Sequence, residues 1–158
     1  MKSIAIALIA LMAAACATNP APTPSSGASS PSDRPVTGLP PQTLPVGACG
    51  LFLFERRSPN RFVVFENINS RTVKIVHDGA VHELGVTGQG GTLVIGETFR
   101  RVYLDPVRNI TFTLTGEVGE ETGSGPRLEN VLLSVRSLDG TRVVRPLGGV
   151  RSCGEEAG

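Results

Sequence analysis

The feature that most constrains the fold is a regular succession of short apolar runs between Gly47 and Cys153. These runs are rich in Val, Ile, Leu, Phe and Thr, and turn residues interrupt them about every eight to twelve positions, a spacing typical of antiparallel β-structure. In the clearest run, 110–115, apolar residues alternate with threonines. One face of such a strand packs and the other contacts water. No segment shows a convincing helical period, so we predict an all-β domain.

The candidate strands predict a small antiparallel β-barrel or a two-layer β-sandwich of about eight or nine strands, because both architectures cover a core and limit exposed edges. The sequence leaves these two alternatives open. The candidate strands are 49–55, 62–67, 72–77, 80–86, 92–99, 101–105, 110–115, 129–138 and 141–147.

An Asp-Gly dipeptide at Asp78 predicts the register of one hairpin. A two-residue turn at this site pairs Lys74 with Glu83, and an opposite-charge pair marks the solvated face. The other face must then point into the core. Its residues are Val73, Ile75, His82 and Leu84.

A second Asp-Gly dipeptide, at Asp139, predicts another two-residue turn. It pairs Val135 with Val144 and Leu133 with Pro146, with these four side chains toward the core. The residues expected to face outward are Ser134, Arg136 and Arg145.

The segment before the β-rich region has a different composition. Eight of the 12 prolines lie between Pro20 and Pro45, and no aromatic residue precedes Phe52. Such a segment cannot bury enough apolar surface to offset the entropy of ordering. We therefore expect residues 16–46 to be a disordered tether that begins with a cysteine, residues 47–153 to be the β domain, and residues 154–158 to be a short tail.

The N-terminus combines one cation at Lys2, an apolar stretch over 4–12 and small residues that lead to Cys16. Residues 1–15 resemble the signal peptides of bacterial lipoproteins, in which a cysteine is acylated and becomes the mature N-terminus. The resemblance implies that Cys16 carries fatty acyl chains such as palmitate, and several chains make an anchor stable. Ala17, which stands where aspartate would favour the inner membrane, implies attachment to the outer membrane, facing the periplasm.

Two further cysteines, Cys49 and Cys153, stand at the ends of the predicted domain. In an oxidising compartment they are expected to form a disulfide that joins the first strand to the last. The alternatives are two free thiols or intermolecular bonds.

The residues do not predict catalysis or a cofactor. A net charge of +1 argues against a surface built for nucleic acid. His77 and His82 are the only histidines and neither lies near a nucleophile motif, so we interpret them as structural. With Asp78 they also lack the fixed spacing of zinc signatures, and no metal site is predicted. The arginine pair Arg100-Arg101 is interpreted as strand-end charge.

The best candidate for partner binding is the glycine-rich stretch 117–127, which is long for a hairpin connection. It contains the residues Glu117, Glu120, Glu121 and Arg127. We expect a non-catalytic protein-binding or inhibitor module whose partner is an envelope protein or is associated with peptidoglycan. The alternative is a small barrel that binds an apolar ligand or lipid.

The layout of the chain is similar to that of the membrane-bound inhibitors of c-type lysozyme. The similarity consists of Cys16, a first strand at Cys49, the hairpin VKIVHDGAVHEL and a last strand that ends at Cys153. It implies a small β-barrel lipoprotein that binds another protein. The chain lacks that family's Ser-Gly-x-x-Tyr signature, so the resemblance assigns no inhibitory residue.

Overall fold

A computed structural model describes residues 35–155. The predicted signal peptide, Cys16 and the first part of the tether lie outside the described residues. The strands are β1 (Cys49–Glu55), β2 (Phe62–Asn67), β3 (Thr72–His77), β4 (Ala80–Gly91), β5 (Thr98–Asp105), β6 (Ile110–Thr122), β7 (Gly125–Arg136) and β8 (Arg142–Cys153).

The eight strands form one closed antiparallel barrel in which each strand pairs with the next along the chain, and β8 returns to pair with β1. The predicted all-β class is confirmed, and the barrel is the correct one of the two architectures. Closure leaves no strand edge unpaired. In the described part of the chain, we find no helix with the length and apolar character needed to cross a membrane.

The barrel has two ends, which we name by their contents. The histidine end is formed by the turns 56–61, 78–79, 106–109 and 137–141, and β3 reaches it at His77. The disulfide end is formed by the turns 68–71, 92–97 and 123–124 and by the outer ends of β1 and β8.

Alternating side chains from the strands fill the interior. The largest fully buried side chains include Tyr103 and Phe112 from neighbouring strands. Aliphatic residues from other strands pack around them, as in other eight-stranded barrels whose interior is just wide enough for side chains. These are Leu51, Leu53, Ile75, Leu114, Leu128, Leu133 and Leu147.

The hairpin at Asp78 has the predicted register. Lys74 lies opposite Glu83, and their charged groups are 3.7 Å apart. On the other face, Ile75 lies opposite His82 and both side chains are buried. The positive φ of 47° at Asp78 and 74° at Gly79 fits the expected tight turn.

The register predicted at Asp139 is wrong by one residue. Val135 pairs with Val143, and Leu133 pairs with Arg145. The connection is the longer turn 137–141, in which the Asp139 carboxylate accepts hydrogen bonds from the amide and hydroxyl of Thr141, both at 2.9 Å. Arg145 therefore lies on the inner side, whereas Val144 is 46 % exposed.

The strand predicted over 92–99 is also wrong. Strand β4 continues to Gly91, and residues 92–97 form a turn before β5. Gly91 has a φ of 66° and Gly96 a φ of 84°, values that favour glycine. The glycines of the stretch 88–91 therefore serve β4 and the start of this turn.

Residues 35–48 cross the outer side of the barrel, and we call this segment the strap. Leu39 is 8 % exposed, and its amide donates to the carbonyl of Phe62 at 2.7 Å. The amide of Val36 donates to the carbonyl of Gly79 at 2.8 Å. The tether prediction is therefore wrong for residues 35–46, which hydrogen-bond to the barrel next to an aromatic cluster on β1 and β2. The cluster consists of Phe52, Phe54, Phe62 and Phe65.

Candidate functional site

The middle of the barrel contains a polar cluster among the apolar side chains. Glu66 on β2 accepts hydrogen bonds from the phenol of Tyr103 and, at 3.3 Å, from the Nε of Arg101, both on β5. All three side chains are buried. Because β2 and β5 are not neighbours in the sheet, the cluster links two strands across the interior.

The electrostatics of this cluster are dominated by burial. Burial raises the pKa of Glu66, and the hydrogen bond from Tyr103 and the charge of Arg101 oppose that rise. Burial and the adjacent Glu66 carboxylate raise the pKa of Tyr103 well above its usual range. Tyr103 is therefore a hydrogen-bond donor to Glu66 at every pH near neutrality.

A second polar cluster lies at the histidine end. The Nδ1 of His82 is 2.8 Å from the Oδ2 of Asp105, and both side chains are buried. Asp105 also accepts hydrogen bonds from the amides of Val107 and Arg108, each at 3.0 Å, and from the Arg108 guanidinium at 3.1 Å. The hydrogen bond from His82 and those from Arg108 lower the pKa of Asp105 to about 2. Asp105 is then an acceptor only, so the proton lies on the Nδ1 of His82.

The other histidine is held next to this pair. The ring centroids of His77 and His82 are 6.1 Å apart, and both rings pack edge-on against Phe112. The Nε2 of His77 is 3.3 Å from the carboxylate of Asp78. Burial lowers the pKa of His77, and the charge of Asp78 opposes that effect. His77 is therefore neutral near pH 7.

The histidine end is crossed by one more ion pair. Arg145 on β8 donates to the Glu55 carboxylate on β1 and, at 2.8 Å, to the carbonyl of Val76 on β3. The sequence analysis expected Arg145 to face outward, but its side chain instead reaches Glu55 and Val76 at the histidine end. Polar side chains from β1, β3, β4, β5 and β8 therefore converge at one end of the barrel.

The contacts of the two histidines limit the chemistry that they can perform. Among residues 35–155, the side-chain partners that lie within hydrogen-bond or ion-pair distance of His77 and His82 are the two aspartates. The described residues hold no group of three or more His, Cys, Asp or Glu side chains placed to bind a metal ion. Each histidine is held by an aspartate and by the ring of Phe112.

At the opposite end, the predicted disulfide is confirmed. Cys49 and Cys153 are bonded and lie directly opposite each other at the outer ends of β1 and β8. The bond therefore joins the two strands that close the barrel, 104 residues apart in sequence.

The predicted partner-binding stretch is a β-hairpin, not a long loop. Strand β6 continues to Thr122, β7 begins at Gly125, and the connection is only 123–124. Glu117, Glu120 and Glu121 are exposed on β6, and Arg127 is exposed on β7. The Glu117 carboxylate accepts a hydrogen bond from the Asn130 amide at 3.1 Å. The four residues thus stand on the strands of one hairpin at the disulfide end.

The outer sides of β5 to β8 form a continuous surface that we call the open face. A groove of about 460 Å³ runs over it. Leu104, Leu132 and Val144 are 46 %, 43 % and 46 % exposed and project from this face, because their neighbours along each strand point inward. The groove is lined by Arg100, Val102, Thr111, Thr113, Thr115, Leu132, Ser134, Arg136, Arg142 and Val144.

Three of these residues are exposed arginines, Arg100, Arg136 and Arg142. Within residues 35–155, none of the three belongs to an ion pair. Arg136 and Arg142 lie directly opposite each other on β7 and β8, and the Nε of Arg142 donates to the hydroxyl of Ser134 at 2.9 Å. The open face therefore displays unpaired positive charge beside exposed aliphatic side chains.

Sequence reasoning missed the buried carboxylates Glu66 and Asp105. Both follow apolar strand residues at inward positions, but an acid at such a position is ordinarily interpreted as the end of a strand. It also assigned Arg101 to strand-end charge, although Phe99, Arg101 and Tyr103 alternate along β5. That alternation was the available signal, because residues two apart share one face.

We find no match to the chain among protein-family models, curated proteins or solved structures.

Proposed function

We propose that the protein is a lipid-anchored, periplasm-facing component of the outer membrane whose barrel acts by binding another protein and not by catalysis. The observation that carries this proposal is the open face. It combines exposed aliphatic side chains with unpaired arginines, a composition that suits the desolvated centre of a protein interface.

The position of the strap also favours the open face as the contact surface. It lies beside the aromatic cluster on the outer sides of β1 and β2, where Leu39 and Phe65 are buried, although Phe54 is 36 % exposed. The open face lies on the other half of the barrel wall, and no described segment crosses it in this way. On β5 to β8 a partner would find Leu104, Leu132 and Val144 exposed together.

The interior favours protein binding over the apolar-ligand alternative. Side chains such as Tyr103, Phe112 and Leu133 are fully buried and occupy the space that a ligand would need. A ligand-binding barrel instead keeps a cavity among its inward side chains.

The binding proposal is tested by site-specific photo-cross-linking in whole cells. We expect a photoreactive residue at Leu104, on the open face, to capture a discrete protein. Lys74 serves as the control because it is on β3, on the other side of the barrel, with a similar exposure of 39 %. Equal capture at both positions, or capture at neither, contradicts the proposal.

The anchor is tested separately. The change Cys16→Ala should release the protein from the membrane fraction, because the acyl chains are attached at that cysteine. A Cys49→Ser variant, which keeps Cys16, should stay with the membrane. Tight membrane attachment of the Cys16→Ala protein would show that the anchor lies elsewhere.

A further inference from the structure

The open face carries a like-charge pair at each of its ends. At the histidine end, Arg136 on β7 lies directly opposite Arg142 on β8. Toward the disulfide end, Glu117 on β6 lies directly opposite Glu129 on β7. Like charges that face each other across two strands destabilise a sheet. Within the described residues neither pair has a partner of opposite charge.

The two pairs lie on opposite sides of the middle of the face. Glu129 and Arg136 are seven positions apart on β7, and because the bulge in this part of β7 takes up one residue, the remaining six at about 3.3 Å each separate them by roughly 20 Å. Leu132 lies between them and is 43 % exposed. Along β7 the face therefore runs from an acidic pair, past Leu132, to a basic pair. Arg100 on β5 adds a positive charge level with Leu132, and Arg127 follows the acidic pair toward the disulfide end.

We propose that this face binds a second copy of the same chain in an antiparallel, two-fold arrangement, an inference that rests on the proposed function. The two-fold axis passes near Leu132, so the aliphatic centres of both copies meet. Arg136 and Arg142 of each copy then face the Glu117 and Glu129 carboxylates of the other. Such an interface is self-complementary and closes after two subunits.

A second copy satisfies the face better than other occupants. An anionic glycan, a phosphate-rich lipid surface or an acidic protein neutralises the arginines but leaves Glu117 and Glu129 opposed to each other. A second copy supplies carboxylates to one end and guanidinium groups to the other, in the bidentate pairing that arginine favours. It also covers Leu132 and Val144 with equivalent aliphatic side chains.

The test uses the full-length chain in detergent, with molecular mass measured by sedimentation velocity over a range of protein concentrations. One variant, Arg136→Glu with Arg142→Glu, makes both ends of the face acidic. The other, Glu117→Arg with Glu129→Arg, makes both ends basic. We expect the unaltered protein to form dimers, each variant alone to need at least tenfold more protein to associate, and an equimolar mixture of the two to recover dimers.

A matched control reverses two arginines outside the face, Arg57→Glu with Arg71→Glu, both exposed. This variant should associate as the unaltered protein does. Thermal unfolding confirms that each variant is folded. If a variant does not fold, the unaltered protein decides the question, because its dimers should weaken as salt screens the charges.

Three results overturn the inference: an unaltered protein that stays monomeric at all concentrations, variants that associate as it does, or a mixture of folded variants that stays monomeric. If the unaltered protein is monomeric but Leu104 still captures a different protein in cells, the second copy is excluded and the proposed binding function stands. If there is neither dimer nor capture, both proposals fail.

Discussion

At the scale of single residues, the buried carboxylates Glu66 and Asp105 each contact a side chain on a different strand. Glu66 meets Arg101 and Tyr103, and His82 meets Asp105. A buried charge without such a partner would cost several kcal/mol of desolvation. These contacts therefore help to fix which strands face one another. Removing one partner leaves the other buried without compensation for its lost hydration.

The contact between Glu66 and Tyr103 should be strongly coupled. Tyr103→Phe removes the phenol donor from a buried carboxylate, and we expect the free energy of unfolding to fall by about 1–3 kcal/mol. Glu66→Gln alone should also be destabilising. The double variant should lose less stability than the sum of the losses in the two single variants, because both single changes break the same contact. Urea unfolding of the four proteins measures this, and strictly additive losses would show that the contact is not a unit.

The contact between Asp105 and His82 should make stability depend on pH in acid. The carboxyl has a pKa of about 2 in the folded chain against 3.8 as its ordinary value, so the unfolded chain takes up its proton first as the pH falls. The stabilisation is complete above about pH 4 and is lost between about pH 4 and pH 2. Asp105→Asn should be less stable at neutral pH, and its difference from the unaltered protein should shrink across that window.

The control for this pH dependence is Glu120→Gln. Glu120 is exposed on β6 and belongs to no ion pair among the described residues. Urea unfolding at several pH values should give this variant nearly the profile of the unaltered protein. If the Asp105→Asn difference were constant from pH 6 to pH 2, the inferred ionisation of Asp105 would be wrong.

At the scale of elements, the β6–β7 hairpin shows that a polar, glycine-rich sequence does not by itself predict a loop. The acids at 117, 120 and 121 and the nearby glycines suggested a loop, yet Val118 and Leu128 point inward from this part of the hairpin and are each 1 % exposed. The register shifts between Thr115 and Glu117 and between Val118 and Glu121. Such irregularities break the strict alternation by which a strand is recognised in sequence.

The packing of this hairpin is tested at Gly116. A Cβ there would lie 2.9 Å from two ring carbons of Phe99 and 3.0 Å from the Cγ2 of Val131. Gly116→Ala should lower the free energy of unfolding by about 1–3 kcal/mol, as other overpacked cores do. Gly123→Ala is the matched control, because a Cβ there meets nothing within 4 Å. Urea unfolding that ranks the two variants equally would contradict this packing.

At the scale of the whole molecule, closure depends on β1 and β8, which are the most distant strands in sequence. Their pairing runs from Cys49 opposite Cys153 to Glu55 opposite Leu147. The Arg145–Glu55 contact joins the same two strands at the histidine end, and the disulfide joins them at the other. Both ends of the closing seam are thus held by a side-chain link.

The disulfide should contribute much of the stability of the domain. Its loop spans 104 residues, and cross-linking a loop of about 100 residues stabilises by about 4.7 kcal/mol through the entropy of the unfolded chain. Cys49→Ser with Cys153→Ser should therefore lower the free energy of unfolding by about 2–5 kcal/mol in urea. The unaltered protein measured with reductant should show the same loss. Equal stability of the oxidised, reduced and serine forms would show that the disulfide does not stabilise the closed barrel.

The sequence by itself determined the β class, most strand positions, the hairpin at Asp78 and the cysteine pairing. These follow from local signals: alternation along a strand, turn chemistry, and the position of two cysteines at the ends of one region. The first three strands have the predicted bounds because each is short, apolar and closed by a turn.

Only the tertiary structure decided the barrel over the sandwich, the packing of the strap, the inward placement of Glu66 and Arg145, and the charge pairs of the open face. Each depends on strands that are distant in sequence or on a register set by a bulge or a turn. A one-residue difference in that register, as at Asp139, exchanges the buried and exposed faces of a strand. Local sequence does not encode the pairing of distant strands. Only the closed barrel therefore shows the surface on which the proposed function rests.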